Sequence, residues 1–313
     1  MTTGLVRIRL ASSDGQISSV QISCERPDVT PCLRGQTKAG VLQRISLLYA
    51  LCGKAQLRAA QLALAASTGQ ECLPIIDTEV QREAMREHLW HYLIVLPELS
   101  GQTPQNQEFV RAVKWIAEGR RAELHEWLNC VNLTLIPQDE ESSFVSNPLP
   151  RLDARSSRAV WPRLTEAFCR YPTWHGRAVE TGLVSRQNSL KKITCVNAGQ
   201  RSRFDELLDW AAGIEMVGAA GTVSAVSVSP GVGRALVETA RGLLMHEVEL
   251  DGGRIADYKI VAPTEWNFHP KGVLAAYLIG QEVGDRKAFE LRVARIVATL
   301  DPCVPWELEW SED

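Results

Sequence analysis

Two hairpins limit the folds open to this chain more than any other feature of the sequence. The pattern of residues 240–250 and 254–263 predicts two strands, and the Asp-Gly-Gly run at 251–253 predicts the turn that joins them. Residues 5–23 predict a second hairpin, with its turn at Asp14-Gly15. Each hairpin starts a small antiparallel sheet, so the fold is not purely helical.

A long helical region follows the first hairpin. Residues 38–67 carry apolar side chains at three- and four-residue spacing, and Gly53 is expected to split the region into two helices. Cys52 then lies at the junction. At a helix start its thiolate is favoured by the helix dipole and by free N–H groups. The alternative is an apolar cysteine on the buried stripe, which composition alone favours.

The remaining periodicity predicts further helices. They span residues 78–96, 108–130, 157–170, 204–212, 273–280 and 285–299. A Thr-x-x-Gln capping box at Thr78 is expected at the start of the first. The polar, proline-containing residues 137–156 predict a surface loop. Long helices with small antiparallel sheets predict an α+β fold, organised as one domain over residues 1–313.

Length and charge exclude several classes of function. The chain has 313 residues and a formal charge of −3, which does not indicate a nucleic-acid partner. The sequence has no apolar run long enough to span a bilayer, and residues 1–10 lack the apolar core of a signal peptide. We therefore expect a cytoplasmic protein without a membrane partner.

The eight cysteines do not follow a known metal-binding spacing. They form no C-x-x-C pair, and zinc-finger and iron–sulfur patterns are absent, so free thiols are expected in a reducing compartment. Cys303 follows Asp301-Pro302, where the proline ends the last helix and holds the thiol on a fixed turn. Such a thiol is either a metal ligand or a buried cysteine in a C-terminal segment that packs on the rest of the protein.

Several motifs occur in one order along the chain. They are LYALCGKAQ (48–56), REHLWHYLIVLPE (86–98), VETGLVSR (179–186), GRALVETARGLLMH (233–246), DGGRIADYKIVAPTEWNFHP (251–270) and DPC (301–303). In this order they resemble the large subunit of [NiFe]-hydrogenases, which carries C-G-x-C-x-x-x-H, E-T-G, E-A-P-R-G, P-T/S-x-W-N and D-P-C-x-x-C-x-x-H segments. The resemblance implies the large-subunit fold, with long bundled helices and small antiparallel sheets.

The chain departs from that family at the nickel site. The resemblance places Cys52 and Cys303 at two of the four cysteine positions that hold nickel and iron. The other ligand and histidine positions carry Tyr49, Gln56, Trp306 and Glu309. Soft thiolates are what such a site requires, so two of them do not make a nickel site. The comparison therefore implies a protein that binds no nickel and is not an enzyme.

Other positions of the family's site are kept. The resemblance places Arg241, Pro263 and Thr264 at the positions that cradle the cyanides of an Fe(CN)2CO unit. Loss of nickel ligands with retention of this cradle resembles the hydrogenase-maturation scaffolds of the HoxV/HupK family. That resemblance implies a transient Fe(CN)2CO cargo, received from maturation chaperones of the HypC/HypD type. It also implies transfer to the apo large subunit of a [NiFe]-hydrogenase.

The resemblance leads to a specific hypothesis for the site. Cys52 and Cys303 bind iron as thiolates, Arg241 donates to one cyanide and lowers the thiol pKa, and Thr264 donates to the other. Cys52 matches a metal-bridging position, whereas Cys303 matches a terminal nickel ligand. Either the tail packs differently from that of the catalytic subunits, or Cys303 only assists.

Simpler interpretations stand beside these roles. Arg241 could form a buried ion pair, for instance with Glu238, and Thr264 could hydrogen-bond within its own turn. Trp266 and Trp306 are expected to be packed aromatics whose N–H groups find a carbonyl. The histidines are expected to pack or to form hydrogen bonds rather than bind metal; these are His88, His91, His246 and His269. At the level of function, the alternatives are a degenerate metalloenzyme subunit and a docking protein for maturation factors that carries no metal.

Overall fold

The computed structural model describes residues 4–130, 161–186, 196–215 and 218–311. Its strands are β1 (Leu5–Ser13), β2 (Gln16–Glu25), β3 (Cys72–Ile76), β4 (Thr222–Ser229), β5 (Val232–Thr239), β6 (Gly242–Asp251), β7 (Arg254–Val261) and β8 (Trp306–Trp310). The longer helices are α1 (Lys38–Leu48), α2 (Gly53–Ala66), α3 (Thr78–Trp90), α5 (Asn106–Glu118), α6 (Arg121–Cys130), α9 (Val196–Ala211) and α12 (Arg286–Leu300). The shorter helices are α4 (Leu96–Leu99), α7 (Glu166–Arg170), α8 (Leu183–Arg186), α10 (Pro263–Asn267) and α11 (Val273–Leu278). A π-helical turn, His91–Val95, joins α3 to α4.

The strands form two sheets. One has five antiparallel strands in the order β3-β4-β5-β6-β7, and the other has the order β2-β1-β8. In the smaller sheet β1 pairs antiparallel with β2 and parallel with β8. Both predicted hairpins are confirmed, since β1–β2 and β6–β7 are neighbours with tight turns. The split of residues 38–67 at Gly53 is confirmed as well.

Helix α2 lies against the five-stranded sheet at a point where no side chain fits. A Cβ atom at Gly233 of β5 would lie 2.1 Å from the carbonyl oxygen of Ala63 and 2.2 Å from the nitrogen of Ser67. Glycine therefore allows the helix backbone to rest directly on the strand. This contact fixes α2, and with it the loop before α2 that carries Cys52.

Helical and mixed layers complete the core. Apolar residues of α3, α5, α6 and α9 pack together, among them Leu89, Ile116 and Leu207, which are at most 3% exposed. The three-stranded sheet packs on α11 and α12 through residues such as Val6 and Phe289. Leu62 and Leu64 of α2 face the core. The α+β fold predicted from the sequence is confirmed.

Several predicted boundaries are wrong for local reasons. Residues 108–130 form two helices, because Gly119 has a φ of 69° and ends α5 in the left-handed conformation. Asp77, not Thr78, caps α3, since its carboxylate accepts the N–H groups of Glu79 and Val80 at 3.1 Å each. Of the predicted helix 157–170 only α7 is helical in the described residues, where the hydroxyl of Thr165 accepts the N–H of Phe168.

Four strands were not predicted from the sequence, namely β3, β4, β5 and β8. The predicted loop at 137–156 lies outside the described residues. In the described part of the chain, no helix combines the length and the apolar character that crossing a membrane requires. The single-domain organisation stays a prediction.

Candidate metal-binding site

Cys52 occupies the position directly before α2, as the sequence predicted. The N–H groups of Lys54 and Ala55 do not face its thiol, because both donate to the carboxylate of Glu83 at 2.9 and 3.0 Å. The expected activation by free N–H groups is therefore wrong. Burial raises the pKa of the Cys52 thiol to about 12, although Arg241 and Gln56 act in the opposite direction.

A chain of buried hydrogen bonds leads to Cys52. The phenol of Tyr258 lies 2.8 Å from Nδ1 of His246, and Nε2 of His246 lies 2.8 Å from Oε1 of Gln56. Since the amide oxygen of Gln56 only accepts, His246 carries its proton on Nε2 and accepts from Tyr258 at Nδ1. Nε2 of Gln56 then donates to Sγ of Cys52 at 3.7 Å. Gln56 thus orients the thiol from a turn further along α2.

Cys303 is placed by the end of α12 and by Thr264. Asp301 has a φ of 51° and ends the helix, and the chain then turns toward α10. The hydroxyl of Thr264 accepts the N–H of Cys303 at 3.2 Å and lies 3.0 Å from its Sγ. Thr264 is 1% exposed. The alternative of a hydrogen bond within its own turn is replaced by this contact across the fold.

Arg241 lies in the turn between β5 and β6 and pairs with two carboxylates. Its guanidinium binds Glu87 of α3, and its Nε lies 3.4 Å from Asp301. The buried ion pair considered from the sequence is confirmed, but its partners are Glu87 and Asp301 and not Glu238, which binds Arg186 at 3.3 Å. Burial alone would raise the pKa of Asp301, but Arg241 and Arg203 lower it to about 2.

The candidate residues share one electrostatic environment. The charges of Cys303 and Glu87 add to the effect of burial on the pKa of Cys52, and Arg241 opposes them. Cys52 and Cys303 are both half-buried, so each keeps some accessible surface. The Nε–H of Arg241 is buried, and it makes no hydrogen bond to any described residue. The carboxylate of Asp301 lies 3.4 Å from this nitrogen, so Asp301 and Glu87 together balance the charge of the guanidinium.

The histidines take the structural roles that were expected. Nε2 of His88 lies 2.6 Å from Glu206, and Nδ1 of His269 accepts the N–H of Lys271 at 3.0 Å. Burial lowers the pKa of His91 and of His246 to about 3, so both are neutral. Within the described residues no three His, Cys, Asp or Glu side chains are grouped as a metal site would need.

The tryptophans differ from each other. Trp266 is 1% exposed and packs edge-on against Trp161 and Phe168. Its N–H makes no hydrogen bond to a described residue, so the expected carbonyl partner is wrong for this side chain. Trp306 lies in β8, opposite Val6 of β1, and packs on the cluster around the three-stranded sheet.

Sequence reasoning missed the carboxylates that support the site. Glu83 binds the N–H groups that start α2, and Glu87, one turn further along α3, binds Arg241. Asp301 was treated only as the end of a helix. The signal was available in part, because two acids one turn apart in an amphipathic helix near buried arginines are candidates for ion pairs.

Comparison with known proteins defines the class. A family model described as nickel-dependent hydrogenase matches residues 194–305. The [NiFeSe] hydrogenase structure from Desulfomicrobium baculatum superposes with a TM-score of 0.62 at 15% identity, covering 94% of this chain and 95% of that one. The fold is that of a hydrogenase large subunit, as the motifs predicted.

The curated relatives of this chain include hydrogenase expression/formation proteins. The hydrogenase expression/formation protein HoxV of Cupriavidus necator is 27% identical, over 97% of this chain and 96% of its own length. HupK of Bradyrhizobium diazoefficiens, described in the same words, is also 27% identical, over 92% and 91% of the two chains. The chain is a relative of the HoxV and HupK proteins, and the family resemblance read from its motifs is confirmed.

Proposed function

We propose that this protein is a non-catalytic carrier in the maturation of a [NiFe]-hydrogenase. It binds the Fe(CN)2CO fragment through Cys52 and Cys303, without nickel, and passes the fragment to the apo large subunit. Its donors are chaperones of the HypC/HypD type, and the exchange takes place in the cytoplasm. The relatives named as expression/formation proteins support the maturation role.

The observation that carries the proposal is the convergence of two thiols with two donors. The hydroxyl of Thr264 lies 3.0 Å from Sγ of Cys303, and the buried guanidinium of Arg241, which pairs with Glu87 and Asp301, is close enough to Cys52 for its charge to act on the thiol. Cyanide nitrogens that leave water need strong donors, and a guanidinium and a hydroxyl are suited to that task. Pro263 starts α10 and sets the direction of Thr264.

The protonation of Cys52 fits a reversible cargo. With a pKa of about 12, Cys52 is a neutral thiol at neutral pH. Iron binding requires the thiolate and releases the proton to solvent, so the metal replaces a proton in a buried place. Two iron–sulfur bonds, opposed by the cost of thiol deprotonation, leave the cargo releasable, as a carrier requires.

The test is infrared spectroscopy on protein produced in a host with the full maturation set. We expect cyanide and carbonyl bands from the wild type, and loss of these bands from Cys52→Ala and Cys303→Ala. Cys32→Ala is the matched control, since Cys32 is exposed and donates to the carbonyl oxygen of Val29. Bands retained in both site variants would refute the ligand assignment, and equimolar nickel in the wild type would refute the carrier function.

One observation favours a second candidate function. Leu47 and Leu51, on either side of Tyr49, are 87% and 54% exposed, so an apolar surface adjoins the loop that carries Cys52. A docking protein without cargo would also present such a surface. A wild-type protein that binds maturation factors but has no cyanide or carbonyl bands would favour this alternative.

A further inference from the structure

A cavity of about 530 Å³ lies next to the candidate site. Its walls come from the end of β2 and the segment after it, from α7, and from β7. Cys24, Arg26, Tyr49 and Glu265 line the cavity, and Cys169 and Lys259 line it as well. It therefore combines thiols, cations and a phenol in one space.

The inner wall of this cavity consists of neighbours of the two candidate ligands. Tyr49 precedes Cys52 by three residues and packs on the same apolar cluster. Arg26 and Glu265 form an ion pair at 2.9 and 3.1 Å, with side chains that are 18% and 11% exposed. Glu265 directly follows Thr264, which contacts Cys303.

Electrostatics indicates the same proximity. Burial raises the pKa of Tyr49, and the charges of Cys52 and Cys303 add to this effect. Burial raises the pKa of Cys24 too, with a contribution from Cys303. Cys52 and Cys303 keep accessible surface. Tyr49 and the Arg26–Glu265 pair are the parts of the cavity wall on which the charges of these cysteines act.

We propose that this cavity is the passage through which the iron fragment reaches and leaves Cys52 and Cys303. Tyr49 and the Arg26–Glu265 ion pair form the gate on the thiol side. The inference rests on the proposed function, because it assigns the route of the same cargo.

The size of the cavity and the chemistry of its walls match an Fe(CN)2CO fragment. One water molecule takes up roughly 30 Å³ in the liquid. If each heavy atom of the fragment takes the same volume, an iron atom with three diatomic ligands needs on the order of 200 Å³. The cavity of about 530 Å³ admits such a complex. Arg26, Lys259 and Tyr49 offer donors to cyanide nitrogens, and the thiols of Cys24 and Cys169 are soft groups of the kind that iron accepts.

The experiment measures release of the fragment from loaded protein. Excess dithiothreitol serves as the competing ligand, and the decay of the cyanide and carbonyl bands gives the rate. Tyr49→Ala widens the gate, and Tyr49→Phe is its control because the ring remains. Cys169→Trp fills the cavity from α7, and its control is Cys130→Trp, at an exposed position of α6.

We expect Tyr49→Ala to release the fragment about tenfold faster than Tyr49→Phe. Cys169→Trp should release it about tenfold more slowly than Cys130→Trp. Each tenfold difference corresponds to a change of about 1.4 kcal/mol in the activation free energy of release. Band positions should stay unchanged, because the ligands are the same. If Cys169→Trp does not fold, Tyr49→Ala tests the gate alone. Equal rates in variants and controls would overturn the passage and leave the carrier function intact, whereas a wild type without bands would overturn both.

Discussion

The hydrogen bond between Gln56 and His246 allows a quantitative test of the site's support. Gln56 is 1% exposed and His246 is fully buried, and the bond between them measures 2.8 Å. In Gln56→Leu the N–H of His246 loses its acceptor in a place that water does not reach. An unsatisfied buried donor costs about 1–3 kcal/mol, so we expect the free energy of unfolding to fall by about 2 kcal/mol.

The double variant separates this bond from general damage to the core. In Gln56→Leu/His246→Leu both partners are gone, and the orphaned donor no longer exists. The losses of unfolding free energy in the two single variants, added together, should therefore exceed the loss in the double variant by about 1–2 kcal/mol. Urea unfolding followed by circular dichroism measures each value, and an unchanged denaturant slope confirms that the same transition is compared.

Gln81 offers a matched control for this cycle. It is a buried glutamine whose Oε1 accepts the N–H of Trp210 at 2.9 Å, and within the described residues it shares no hydrogen-bond partner with His246. Gln81→Leu and His246→Leu should be additive within about 0.5 kcal/mol. If Gln56→Leu and His246→Leu are additive to the same degree, the bond between them contributes nothing and the chain of bonds to Cys52 is refuted.

Three further perturbations have definite outcomes. The free energy of unfolding should fall as pH drops from 6.5 toward 3, because His91 and His246 take up protons in the unfolded chain but not in the folded one. Each histidine contributes up to roughly 5 kcal/mol to this loss. Urea unfolding at stepped pH measures the loss, and His246→Phe should make it less steep. Gly233→Ala should abolish folding or cost more than about 4 kcal/mol by circular dichroism, since its Cβ would lie 2.1 Å from a carbonyl oxygen of α2. Glu309→Gln removes ion pairs to Arg7 and Arg9 at the surface and should lower stability only slightly, a difference that disappears in about 1 M salt in the same urea assay.

The hairpins and the split helix could be predicted because local residues encode them. Asp14-Gly15 adopts positive φ at both positions, and Gly252-Gly253 does the same. Strand β5 gives no such signal, because all eight of its residues are buried and its sequence lacks the alternation of a half-exposed strand. Its polar residues Arg234 and Glu238 are buried because they pair with Glu247 and Arg186, partners that only the fold brings to them.

Strand β8 was missed for a different reason. It pairs with β1 across some three hundred residues of sequence, with Trp306 opposite Val6 and Trp310 opposite Leu10. Nothing local requires a strand there. The site residues themselves were named from motifs. The partners of Glu83 and Glu87 depend on the fold, which brings α3 against the start of α2 and against the turn that carries Arg241.

The positions at which this chain departs from the hydrogenase motifs have each acquired a structural role. Gln56 links His246 to Cys52, and Tyr49 packs on the core beside the cavity. Trp306 belongs to β8, where Glu309 pairs with the arginines of β1. Restoring a cysteine at Tyr49 alone would open the core, and restoring one at Trp306 would weaken the packing of β8. The substitutions are thus tied to the fold itself, so single reversions should lower stability before they could rebuild a four-thiolate site.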